Sequence, residues 1–226
     1  MCSGLLDLLY PPLCIACDRR TFDAQNLFCL DCQAQLHPTG MQHLQENEFT
    51  RKFAGRIPIA HGAALFYYLK GSRLQLAIER LKYKNEPEIG IALGNYFGQL
   101  LKPIPHYQQL DFIVPVPLHP SKKVQRGYNQ ATMIARGLAE SLSLNVHENL
   151  LQRIRQTNSQ VNKGRLERLD NMQSAFAIKS TKNLQSAHVL LVDDILTTGA
   201  TLEACAMQLL SAFDCKISMA TIGYAG

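Results

Sequence analysis

The chain of 226 residues has no apolar run long enough to cross a bilayer, which excludes a helical membrane protein. Its first ten residues lack a basic leading region and place Asp7 inside their apolar stretch, so a secretory signal peptide is not expected and a cytoplasmic location is. Cysteine almost disappears after residue 32: only Cys205 and Cys215 follow, neither with a partner spacing, so no disulfide framework is expected over most of the chain. Charged residues are only 18% of the total and hydrophobic ones 46%, a globular composition with room for one large domain plus a small module.

Five of the seven cysteines do fall in the first 32 residues. Four of them, Cys14, Cys17, Cys29 and Cys32, form two Cys-x-x-Cys knuckles that can place four thiolates tetrahedrally around one Zn²⁺. In a reducing compartment this spacing favours metal over disulfides. Four sulfur ligands would close the coordination sphere, so the zinc is expected to be structural, and His37 and His43 nearby are read as surface residues. Residues 1–50 are therefore expected to form a zinc-ribbon-like module and residues 51–226 a second, larger domain. The first part carries two basic and six acidic side chains, the second 21 basic and 12 acidic. A net of +9 on the larger domain favours polyanionic partners, either phosphorylated small molecules or nucleic acid.

Residues 189–202 carry the most chemistry. The apolar run Val189 to Val192 predicts a strand buried on both faces. Asp193 and Asp194 follow at its carboxyl end, then the loop Thr197-Thr198-Gly199-Ala200-Thr201, then a helix with Leu202, Cys205, Leu209 and Phe213 on one side. Amides at a Gly-rich turn before a helix converge on an anion, and the threonine hydroxyls can add to them. The two carboxylates repel phosphate but can accept hydrogen bonds from a vicinal diol or hold a divalent cation. A ligand with a phosphate, two neighbouring hydroxyls and a metal-bound pyrophosphate satisfies every part. 5-Phosphoribosyl-1-diphosphate (PRPP) is such a ligand.

The remainder alternates strands and helices. Strands are expected near 63–68, 112–116, 145–151, 175–178 and 217–223, and helices near 72–84, 88–101 and 128–142. This pattern predicts an α/β, mostly parallel, doubly wound sheet with its ligand outside the carboxyl ends of the strands. By that rule a second loop, 117–130, belongs to the same site and brings Lys122, Lys123 and Arg126 as counter-charges for pyrophosphate. The polar stretch 152–174, with Arg153, Arg155, Gln160, Lys163 and Arg168, reads as a lid or as a solvated basic linker.

The 189–202 segment resembles the PRPP signature of type I phosphoribosyltransferases. The fuller set resembles the ComF family: the four-cysteine module, Pro115-Val116-Pro117-Leu118-His119, Arg126-Gly127-Tyr128-Asn129-Gln130, Gln160, Arg168 with Asn171, and Ala175-Phe176. Leu81-Lys82-Tyr83 also matches a family element, which implies that Lys82 reaches the ligand. The resemblance implies a phosphoribosyltransferase-like fold associated with DNA uptake in competent bacteria. Asp193 and Asp194 would hold the ribose hydroxyls and 197–201 the 5-phosphate, with Mg²⁺ beside the pyrophosphate. No residue marks itself as a general base and no motif marks an acceptor pocket. A phosphoribosyl transfer to a nitrogen nucleophile therefore stays open beside a non-catalytic role: a PRPP-responsive protein that binds single-stranded DNA through basic residues and Tyr67, Tyr68 and Tyr83, or that docks on a DNA-uptake helicase.

Overall fold

The computed structural model describes residues 11–21, 26–154, 175–179 and 185–226. A five-stranded, all-parallel sheet forms the centre, built from β1 (His61–Tyr67), β2 (Phe112–Pro115), β3 (Asn145–Val146), β6 (His188–Leu196) and β7 (Lys216–Tyr224) in the order β1-β7-β6-β2-β3. β4 (Leu151–Arg153) and β5 (Phe176–Ile178) pair antiparallel in a separate two-stranded sheet. The expected strand at 145–151 is therefore two short ones in different sheets, and the one at 175–178 does not join the parallel sheet.

Val189 to Val192 are completely buried. Successive strand residues point to opposite faces, so both faces of β6 are covered. The topology says by what. β2 runs through helix α6 (Gln130–Leu142) to β3 in one direction along the sheet, while β6 runs through α7 (Ala200–Ala212) to β7 in the other. Right-handed crossovers in opposite directions put α6 and α7 on opposite faces. The connection from β1 to β2 carries α3 (Arg73–Tyr83) and α4 (Pro87–Leu101) in the same direction as α6, and α4 packs closely along α6.

That helix pair meets backbone to backbone. A Cβ on Gly94 would stand 2.1 Å from the Ile134 carbonyl oxygen, and one on Gly137 1.9 Å from the Ile91 carbonyl oxygen. The outer edge of β1 is covered in turn by residues 37–39: Tyr67 N–H donates to His37 O at 2.8 Å and Thr39 N–H to Leu65 O at 3.2 Å. Pairing there satisfies polar groups that an edge strand would expose. Helices α1 (Leu30–Gln33) and α2 (Glu48–Arg51) precede the sheet, the latter closed by a reciprocal Asn47–Thr50 capping box. No helix of the described residues is long and apolar enough to cross a membrane.

Candidate functional site

Because β2 and β6 are neighbours whose connections depart in opposite directions, a crevice opens at their carboxyl ends. β2 pairs with β6 only up to Pro115–Val192, whereas β6 continues beside β7 to Leu196–Tyr224. Asp193 and Asp194 occupy the stretch where β6 has outrun one neighbour and kept the other. The acidic pair thus stands at the edge of the crevice on a strand still held in register, through Asp193 opposite Thr221.

The two carboxylates are organised differently. Asp193 Oδ1 accepts from the Asp194 amide at 2.9 Å, and Asp194 Oδ1 from the Ile195 amide at 2.7 Å. Asp194 Oδ2 also meets Lys82 Nζ at 2.6 Å. Burial, and then the charge of Asp194, push Asp193 up to about 7, against the pull of that amide, Lys82 and Arg153. Lys82 is raised above its ordinary value: burial opposes its charge, but Asp194 and Asp193 outweigh it.

After β6 the chain turns through Thr197, Thr198 and Gly199 into α7. Gly199 has φ +82, the left-handed region, and is buried. A Cβ there would also stand 3.0 Å from two ring atoms of Phe53, so a side chain at that point would press on the ring. Thr197 and Thr198 are exposed, and the Thr198 hydroxyl accepts from the Ala200 amide at 3.4 Å. The helix starts at Ala200 with no side-chain cap at Gly199, so its first turn carries amides without intrahelical acceptors. A small cleft is lined by Asp193, Ile195 and residues 196–202.

Three residues that sequence reasoning missed support this loop from behind. Lys52 Nζ donates to Thr197 O at 2.7 Å and to Ala225 O at 3.1 Å, and lies over the Tyr224 ring. Phe53 packs beneath Gly199. Arg56 makes a two-pronged pairing with Glu203, a buried carboxylate in the first turn of α7. The only local sign was the Asn47–Thr50 capping pattern, which marks a helix without saying what it touches.

The basic residues expected from loop 117–130 lie across the crevice, on a helix. Residues Pro120–Arg126 form α5, with Pro120 at its first turn and His119 Nδ1 accepting from the Ser121 amide. Expecting an open loop there overlooked that start signal. Lys122 is depressed by burial and then by the charges of Arg126, Arg153 and Lys82, so these four cations share one field. Arg126 reaches Gln130 Oε1 at 3.0 Å and lies over the Tyr83 ring. Lys123 is on the same helix and exposed. The rest of Arg126-Gly127-Tyr128-Asn129-Gln130 is architectural: Tyr128 OH donates to Leu81 O at 2.6 Å, and Asn129 caps α6 while donating to Val116 O at 2.8 Å. Gln160 and Arg168 lie outside the described residues, whereas Arg153, on β4, lies over the Phe176 ring within electrostatic reach of Asp193.

At the other end of the chain the sulfurs of Cys14, Cys17, Cys29 and Cys32 all lie within 4.8 Å of one another, with Cys17 and Cys29 3.6 Å apart. Tetrahedral Zn²⁺ with bonds of about 2.3 Å sets sulfurs about 3.8 Å apart, so the cluster fits a closed structural zinc site. The thiol chemistry agrees. Burial raises Cys14, but backbone hydrogen bonds at Cys29, Ala16 and Cys17 outweigh it and bring it down to about 7. Burial and the three neighbouring sulfurs push Cys32 upward. Ionising all four sulfurs at this separation would require a divalent cation among them.

A parallel sheet with an acidic pair, a Thr-Thr-Gly loop and a cationic helix at its switch point, preceded by a four-cysteine ribbon, defines a phosphoribosyltransferase-type domain behind a zinc ribbon. Comparison with known proteins agrees: a double zinc ribbon domain matches residues 5–43 and a phosphoribosyl transferase domain residues 128–225. The chain is similar to the ComF/YhgH proteins, two of which show how far the likeness extends. It is 32% identical to the competence protein F of Haemophilus influenzae over 57% of this chain and 58% of that protein. It is 31% identical to the DNA utilization protein YhgH of Salmonella typhimurium over 61% of each. The chain thus spans about three fifths of the length of these relatives. Adenine phosphoribosyltransferase of Leishmania tarentolae overlaps it over 63% of this chain and 73% of its own, but at 12% identity and a TM-score of 0.37 the likeness is too loose to bear weight.

Proposed function

We propose that the crevice between β2 and β6 binds PRPP with Mg²⁺, and that the protein serves DNA uptake or DNA utilisation; its relatives are named a competence protein and a DNA utilization protein. The observation that carries this reading is the position of Asp193, Asp194 and the Gly199 loop at the switch point, opposite the cations of α3 and α5. The 5-phosphate would lie against the amides and hydroxyls of residues 197–201, and the ribose hydroxyls against Asp193 and Asp194. The pyrophosphate would lie among Lys82, Lys122, Lys123 and Arg126, completed by Gln160 and Arg168. Bound Mg²⁺ would screen the pyrophosphate oxygens from the two carboxylates. The domain boundary near residue 50 belongs to the same proposal.

If the site turns over, the bond between ribose C1 and the pyrophosphate oxygen breaks and a bond from C1 to a nitrogen nucleophile forms. The proton of that nitrogen leaves to solvent. The chain's contribution would be positioning and neutralisation of the leaving group by its lysines and arginine. A second reading, PRPP binding without transfer coupled to single-stranded DNA or a helicase partner, draws on the +9 net charge of residues 51–226.

Calorimetric titration of Mg²⁺-PRPP into the zinc-loaded protein, beside Asp193→Asn/Asp194→Asn, tests the shared claim. Saturable binding in wild type that is lost in the variant supports it. An absence of binding by folded wild type overturns it. Pyrophosphate release with a panel of nitrogen acceptors then separates the two readings.

A further inference from the structure

The zinc knuckle and the crevice share one helix end. Arg80, near the end of α3, turns its guanidinium to the knuckle: Nη1 meets Asp18 Oδ1 at 2.6 Å and the Cys14 carbonyl oxygen at 3.3 Å. The same carbonyl accepts from the Asp18 amide at 3.0 Å, closing the turn that carries Cys14 and Cys17, and Asp18 holds a left-handed φ of +59 to make that turn. The other edge of the guanidinium pairs with Glu86, the N-cap just before α4, with Nε 3.0 Å from Glu86 Oε2. The module is docked besides by an edge-to-face contact of Phe28 with Phe66 of β1.

Two residues along, Lys82 faces the opposite way. A step of two in an α-helix turns about 200°, so a helix end that sends Arg80 to the knuckle sends Lys82 into the crevice, where it meets Asp194 at 2.6 Å. Between them, the Leu81 carbonyl is held by Tyr128 OH at 2.6 Å. The last turn of α3 is thus gripped from the knuckle, from α4 and from the start of α6.

We propose that the zinc knuckle is a positioning element of the PRPP site: through Asp18, the Cys14 carbonyl and Arg80 it fixes the end of α3 that aims Lys82 at Asp194, so metal occupancy and ligand affinity are thermodynamically coupled. Arg80 is a positioning residue and touches neither ligand. A metal that orders residues 14–18 orders the Asp18 and Cys14 acceptors, and loss of the metal releases Arg80 and lets Lys82 leave its register. Coupling of this kind is reciprocal, so PRPP must hold zinc as firmly as zinc favours PRPP. The inference rests on the PRPP reading of the crevice.

The test uses the full chain, zinc-loaded, as wild type, Arg80→Ala and Asp18→Asn, each with its zinc content measured. Mg²⁺-PRPP affinity is read by calorimetry, and zinc release to the chromogenic chelator 4-(2-pyridylazo)resorcinol is timed with and without PRPP. The expected result is about tenfold weaker PRPP binding in Arg80→Ala at full zinc content, with a smaller loss in Asp18→Asn. PRPP should slow zinc release several-fold in wild type and not at all in Arg80→Ala. A helix end weakened for purely structural reasons would lower affinity without abolishing that protection. If Arg80→Ala fails to fold, Asp18→Asn decides, because its side chain is 62% exposed and its loss leaves the core intact. Wild type that binds PRPP, with zinc release indifferent to it and variants of unchanged affinity, overturns the coupling alone. Wild type that binds no PRPP overturns the ligand reading, and the coupling with it.

Discussion

Replacing Gly137 by alanine sets two effects of opposite sign against each other. In a helix interior that faces solvent, alanine is favoured over glycine by about 1 kcal/mol. Here the new methyl would stand 1.9 Å from the Ile91 carbonyl oxygen and 2.6 Å from the Asn95 amide nitrogen, both backbone atoms that cannot rotate away. An ordinary carbon–oxygen contact is about 3.3 Å, so α4 and α6 must part locally by roughly 1.4 Å. A gap of even 0.5–1 Å forfeits about a quarter to a half of each dispersion contact across it. Leu93, Phe97, Ile134 and Leu138, all completely buried, lie along this pair. Overpacking against fixed backbone costs about 3 kcal/mol, the upper end of its usual range and beyond the propensity gain. Urea unfolding followed by circular dichroism should show a midpoint lowered accordingly in Gly137→Ala, and a comparable loss in Gly94→Ala. A Gly137→Ala protein as stable as wild type, or more so, would refute the close helix contact and leave propensity as the governing effect.

Other consequences follow from groups already described. His188, buried with Nε2 2.8 Å from Ser218 Oγ, is depressed to about 4 by burial and then by Lys216, against the opposing pull of Asp111 and of a hydrogen bond with the Gln109 backbone. Its folded value lies below the unfolded 6.5, so it leaves stability intact above about pH 6.5 and drains it as pH falls toward 4, by about 2 kcal/mol at pH 5. Urea melts across that range should lose this slope in His188→Gln, and an unchanged slope would refute the assignment. With Asp193 raised to about 7, Mg²⁺-PRPP affinity should fall as pH drops from 8 to 6. That fall should be shallower in Asp193→Asn than in wild type, and equal pH profiles would count against Asp193 as the titrating group. Lys52→Met removes the support behind Thr197 and should weaken ribose-5-phosphate binding several-fold, with little change for free pyrophosphate. Equal losses for both would place Lys52 elsewhere in the energetics.

The parts of this site legible in the sequence are those encoded over a short stretch. An apolar run, an acidic pair, a Gly-containing turn and an amphipathic helix follow one another within 189–202, and the structure keeps them in that order as β6, the Gly199 turn and α7. The cysteine spacing was equally local, and the four sulfurs do converge. What stayed hidden depends on distant partners. Lys52 and Arg56 meet the loop and α7 across about 145 residues of chain, with no periodicity to announce it. Arg80 and Lys82 look alike in sequence, yet the helix turn sends one to the knuckle and the other to the crevice. The strand at 176–178 was visible as a strand, but its choice of β4 over the parallel sheet is a matter of partner and not of propensity.

The most direct test of the central claim is a crystal structure of the protein with PRPP and Mg²⁺ bound. The account predicts the 5-phosphate on the amides of residues 197–201, the ribose hydroxyls on Asp193 and Asp194, and the pyrophosphate beside Lys82, Lys122 and Arg126. PRPP bound away from the β2–β6 crevice, or in it with its phosphates exchanged, would contradict it.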